Sequence, residues 1–216
     1  MGIHPGISIE PGRDAGGEGQ VLVIACGALA REILELVRMN GWSHIALTCL
    51  PADLHLRPEL IPDRVEQAVR EHEHHFPQIF IGYADCGTGG LLRKRCDQLG
   101  FEMLDGPHCY SFFEGNAAFA AHADEEITAF YLTDFLVKQF DSFVWKPLGL
   151  DRHPELRDAY FGNYDRLVFM AQTDDPELDR LAGSCADRLG LAYERRHTGY
   201  GDLMTSLAAL PHQPGS

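Results

Sequence analysis

The hydrophobic positions of this chain follow two alternating patterns. Short apolar runs have the length and β-branched or aromatic content of strands: Val21-Leu22-Val23-Ile24-Ala25, Ile45 to Cys49, Ile79-Phe80-Ile81-Gly82-Tyr83, Phe101 to Leu104 and Leu167 to Ala171. Ser142 to Lys146 and the more polar Leu191 to Arg195 read as two more. Longer stretches between them carry apolar residues at helical spacing. Leu29, Ile33, Leu36 and Val37 mark a helix over Ala28 to Asn40, with Gly41 as its C-cap. Pro62 and Asp63 open the next, which runs to about His75 before Pro77. Thr88 to Leu99, Cys109 to Ala123, Thr128 to Phe140, His153 to Tyr160 and Pro176 to Leu189 complete the helices.

Strands alternating with helices predict an α/β fold: a mainly parallel sheet with helices on both faces, a Rossmann-like three-layer sandwich. The expected organisation is a single domain over residues 21–205. It lies between a Gly- and Pro-rich disordered tail, residues 1–20, and a flexible C-terminal tail, residues 206–216. Asp124-Glu125-Glu126 reads as an exposed acidic loop.

Charge narrows the function classes. A net charge of −14 over 216 residues argues against nucleic-acid and anionic-membrane partners, both of which need basic surface. No apolar stretch approaches the roughly 20 residues of a spanning helix, so no membrane partner is expected. The first residues lack the apolar core of a secretory signal, and the six cysteines therefore read as reduced thiols of a cytoplasmic protein. There is no Walker A motif and no G-x-G-x-x-G after the first strand, so a nucleotide cofactor is not indicated.

The candidate chemistry lies at the strand ends. Cys26, Cys86 and Cys109 each follow a predicted strand, and in a parallel sheet such ends share the edge where α/β proteins bind ligands. Three soft donors there point to a metal site, either zinc or an iron–sulfur cluster, with one coordination position open. His108 is a possible fourth ligand that would close it. Cys49, Cys96 and Cys185 read as small hydrophobes. Gly82-Tyr83-Ala84-Asp85-Cys86-Gly87-Thr88-Gly89-Gly90 loosely resembles a nucleophile elbow, which keeps open a metal-free hydrolase or transferase using Cys86. Its oxyanion hole would be the Gly87 to Gly89 amides, and its base His108 or His197.

Further candidates sit in the neighbouring loops. Glu32, His108, Lys146 and His197 are candidates for acid–base or anchoring roles toward a small-molecule ligand. Gly27, Gly87, Gln172 and Tyr200 are candidates for ligand contact. Each has a plainer reading as a helix residue, a cap or a turn.

Four separated motifs carry a family resemblance: Ile24-Ala25-Cys26-Gly27, Tyr83-Ala84-Asp85-Cys86-Gly87, Pro107-His108-Cys109-Tyr110 and Leu148-Gly149-Leu150-Asp151-Arg152-His153-Pro154-Glu155-Leu156. Their order over Val21 to Leu203 resembles the bacterial and archaeal family of unknown function numbered sixteen thirty-eight. Members are often encoded beside corrinoid-dependent methyltransferases acting on methylamines or betaines. The resemblance therefore implies a role in or beside corrinoid-dependent methyl transfer and one-carbon metabolism, with such a methyltransferase system as a possible partner. A metal-delivery or accessory protein for the methyltransferase is the alternative. The chain lacks the D-x-H-x-x-G pattern of the corrinoid carriers themselves, because Asp151-Arg152-His153 continues into Pro154-Glu155-Leu156.

Overall fold

The computed structural model describes residues 21–124 and 126–211. The N-terminal tail, Glu125 and the last residues of the C-terminal tail lie outside them. The described residues divide into two compact units, one within residues 21–109 and 203–211 and one within residues 110–202. Each holds a parallel sheet with interspersed helices, so the α/β class is observed. The single expected sheet is instead, among the described residues, a four-stranded and a three-stranded sheet. Periodicity identifies strands but not their neighbours, and only pairing separates the two.

In the first unit the strands are β1 (Val21–Cys26), β2 (Ile45–Leu50), β3 (Gln78–Gly82) and β4 (Glu102–Met103), in the order β2-β1-β3-β4. β1 is central and buried at every position, which accounts for its unbroken apolar run. Cys26 pairs with Leu50 and Ala25 with Gly82, so these strand ends form one edge. Gly82 is required for this pairing, because a Cβ there would stand 2.9 Å from the Ala25 Cβ. Helix α1 (Ala30–Asn40) ends at Gly41 in the left-handed region, and α2 (Ile61–His72) carries Pro62 in its first turn. Helix α3 (Leu91–Leu99) follows the glycine turn after β3. The stretch after β2 winds into 3-10 turns over Ala52–Leu56 and Pro58–Leu60.

The expected helix over Cys109 to Ala123 is two, α4 (Cys109–Glu114) and α5 (Asn116–His122). Gly115, with φ +98°, separates them, and the Asn116 N–H is donated to the Asp202 carboxylate at 2.7 Å. In the second unit β5 (Ala129–Thr133), β6 (Arg166–Ala171) and β7 (Ala192–His197) lie in sequence order. The expected helix over Thr128 to Phe140 begins as β5 and only then becomes α6 (Asp134–Lys138). The switch falls at Thr133, whose hydroxyl caps α6 by accepting the Leu136 N–H. The expected strand Ser142 to Lys146 is a π-helical turn, Asp141–Trp145, that buries Phe140 and Val144 four residues apart. Helices α7 (Arg157–Phe161) and α8 (Pro176–Leu189, capped by Asp175) follow. Helix α9 (Gly201–Ala208) then passes back to the first unit. Leu207 in this helix and Leu210 beyond it are buried.

The acidic loop is not wholly exposed. Glu126 is largely buried and accepts hydrogen bonds from Arg196 at 2.7 Å and from the Tyr131 hydroxyl at 2.5 Å. His122 lies between Glu114 and Glu126, at 3.2 and 3.1 Å. Arg196 holds the Glu126 carboxyl down at about 2.

Candidate metal centre

The centre is built at the strand-end edge of the first unit. Cys26 ends β1, and its Sγ accepts the Ala28 N–H at 3.3 Å where the chain turns toward α1. His55 is carried by the 3-10 turn after β2. Its Nδ1 lies 3.2 Å from the Ala52 carbonyl and 3.5 Å from the Cys26 Sγ. Cys86 follows β3 in a turn organised by Asp85, whose carboxylate accepts the Thr88 hydroxyl and the Gly89 and Gly90 N–H groups at 2.7, 3.0 and 2.7 Å. The Asp85 and Cys86 N–H groups are donated to the Gly106 and Pro107 carbonyls, both at 3.0 Å, which draws the Cys109 segment alongside. Cys109 opens α4.

The Cys86 and Cys109 Sγ atoms are 3.9 Å apart. Ligand atoms of His55, Cys86 and Cys109 all lie within 4.8 Å of one another, so the three could hold a metal ion. The spacing matches one ion: two thiolates on a tetrahedral zinc, with Zn–S of about 2.3 Å, stand about 3.8 Å apart. Cys86 has φ +51°, the only described non-glycine residue in the left-handed region.

The electrostatics are coupled. The hydrogen bond from Cys86, reinforced by His55 and His108, outweighs burial and pulls the Cys109 thiol down to about 5. The same bond, with burial, pushes Cys86 well up. Burial disfavours charge on His55, but hydrogen bonds to Cys109 and Cys26 outweigh it and push the imidazole up to about 11. Burial, with the Cys26 charge, pushes Cys49 up to about 12. Burial lowers His108.

Of the three expected cysteine ligands, Cys86 and Cys109 are together, whereas Cys26 touches His55 from outside the three-ligand group. His55 carried no spacing signal. Its one clue was a place in the loop after a strand, at the same edge as the cysteines. His108 adjoins Cys109 but is not in the group. Glu32 is buried within α1. Gly27 is closely packed, since a Cβ there would lie 3.0 Å from the Leu50 carbonyl, and its lack of a side chain lets the His55 turn approach. Gly87 is a turn residue at φ +81°. The oxyanion hole expected of Gly87 to Gly89 meets a competitor, because the Gly89 amide is taken by Asp85.

Lys146, Gln172, His197 and Tyr200 belong to the second unit. Gln172 is buried as a cross-link, its side-chain carbonyl accepting the Asp134 N–H at 2.8 Å and its own N–H donated to the Asp134 carboxylate at 3.0 Å. His197 is half exposed, 3.5 Å from Asp174, and Lys146 is exposed.

The class defined so far is an α/β protein with a histidine–cysteine group able to hold a metal. A family model described as protein of unknown function (DUF1638) matches residues 49–207, and the chain belongs to that family. The matched segment contains His55, Cys86 and Cys109, and Cys26 precedes it. No curated protein and no solved structure matches the chain.

Proposed function

We propose that this protein binds a single zinc ion through His55, Cys86 and Cys109 and presents its open fourth position to a small-molecule ligand. The observation that carries this is the 3.9 Å sulfur separation, with an imidazole in the same group. A four-iron cluster, one form of the other expectation, binds each thiolate to a different iron and so needs them further apart. The second contact of His55 supports the reading. With Nδ1–H donated to the Ala52 carbonyl, Nε2 is left as the ligating atom, the usual way an outer partner fixes a metal-bound imidazole. Cys26 then orients His55.

Two thiolates, one imidazole and an open position suit a catalytic rather than a structural ion. Such an ion polarises a bound ligand, or lowers the pKa of a bound thiol and makes it nucleophilic. A thiolate prepared in this way is a methyl acceptor, which fits a role in or beside corrinoid-dependent one-carbon metabolism. The family resemblance is what supports that finer step. Cobalt titration of the chelator-treated protein tests the ligand set: the thiolate charge-transfer bands should appear at one equivalent in the wild type and vanish in C86S and C109S. Undiminished bands in either variant would remove that cysteine from the site.

One observation favours a second reading. Cys109, pulled down to about 5 beside His55, is paired as a nucleophilic thiolate would be. The nucleophile would then be Cys109 rather than Cys86. This reading expects one rapidly alkylated thiol and an activity that survives chelation.

A further inference from the structure

Tyr83 immediately follows β3, three residues before Cys86. It is fully buried, and no hydrogen-bond partner for its hydroxyl is present among the described residues. A buried hydroxyl without a partner is costly, and such a group is commonly explained by a ligand or water that completes it. The surroundings identify where that ligand would be. Tyr83 stands at the strand-end edge, next after Gly82, which pairs with Ala25 beside Cys26. Its ring also lies nearly parallel to that of His55, 14° between planes and 6.3 Å between centroids. The residue carrying the orphan donor is thus stacked on a member of the group that would hold the metal.

We infer that the Tyr83 hydroxyl donates a hydrogen bond to a small anion occupying the fourth coordination position of the metal. The inference rests on the metal-centre reading above and adds the ligand's chemistry to it. Three protein donors leave one position on a tetrahedral ion. A phenolic O–H can donate to an anion but adds no charge of its own, so it favours hydroxide, a small thiolate or a pseudohalide over a cation. The full burial of Tyr83 and the tight Gly82 approach leave it little freedom to turn elsewhere, and favour a ligand bound through a single atom.

The test uses the full chain loaded with cobalt and titrated with azide, comparing wild type with Y83F. Phenylalanine keeps the ring against His55 and removes only the orphan oxygen. Y83F should bind cobalt with unchanged stoichiometry, and its apo form should melt no lower than wild type. Its azide affinity should fall about tenfold or more, as expected for a lost hydrogen bond to a charged acceptor. Equal azide affinity in the two proteins would overturn the inference, and so would a wild-type cobalt spectrum that azide leaves unchanged. Loss of cobalt from Y83F would make Tyr83 a ligand rather than a donor, which also overturns it. A wild type that takes up no cobalt would fail the metal-centre reading itself, a result visible before any azide is added.

Discussion

Cys86 provides a sharp test because its backbone and its thiol make opposite demands. At φ +51° an L-residue gives up roughly 1–2 kcal/mol relative to its preferred regions. Glycine would adopt the same conformation without that cost, as Gly87, Gly89 and Gly90 do beside it. The backbone position is fixed by the Cys86 N–H to Pro107 and by the Asp85-capped turn, none of which needs a side chain at residue 86. Replacing Cys86 by Ala removes a buried sulfur, worth about 1 kcal/mol, and retains the strain. Replacing it by Gly removes the sulfur and the Cβ, the latter worth up to about 0.8 kcal/mol, and releases the strain, offset by about 0.5–1 kcal/mol of extra chain entropy in the unfolded state. C86G should therefore be at least as stable as C86A, whereas in regular structure Gly costs about 0.5–1 kcal/mol relative to Ala. Urea unfolding of both apo variants, in chelator and at equal protein concentration, gives the difference in midpoint. Neither variant should bind metal. A C86A protein clearly more stable than C86G would refute the claim that strain is maintained here to place a thiol.

Metal binding should release about two protons at pH 7. His55, pushed up to about 11, and Cys86, also pushed up, must each lose one to ligate, whereas Cys109, near 5, is already ionised. Affinity should accordingly rise with pH, and zinc calorimetry in buffers of different ionisation enthalpy should report the protons; a pH-independent affinity would contradict the assignment. C26S should keep one metal per chain with affinity reduced about tenfold or more, as for a lost outer partner of a metal-bound histidine, whereas complete loss of metal would make Cys26 a ligand. In the second unit, the Glu126 carboxyl has a lower pKa folded than its ordinary 4.5, so its contribution is present above that value and is lost as pH falls through about 2. Unfolding midpoints of wild type and E126Q should thus converge on acidification, and a constant gap would show that Arg196 does not hold that charge.

The legible parts of the chain were those whose burial is uniform. β1 and β6 are buried at nearly every position and read directly as apolar runs, and α1 showed both its apolar stripe and its terminal Gly41. The Ala129–Thr133 strand did not read as one, because Phe130, Tyr131 and Leu132 lead straight into helical Asp134–Lys138 and five residues satisfy either period. Of the centre, Cys86 and Cys109 could be grouped because parallel strands end on one edge. Their contact, however, depends on β3 pairing with β4 and on the hydrogen bonds to Gly106 and Pro107. His55 enters through a 3-10 turn that a lone histidine among prolines does not announce. Cys26 lies outside the three-residue group, with its sulfur 3.5 Å from the His55 Nδ1 and held by the Ala28 amide at the turn into α1.

The most direct measurement is X-ray absorption at the metal edge of protein purified anaerobically without added metal. Zinc is expected in near-stoichiometric amount, with two sulfurs at about 2.3 Å and the remaining positions filled by nitrogen or oxygen at about 2.0–2.1 Å. Iron–iron scattering, three or more sulfur neighbours, or no bound metal would contradict this expectation.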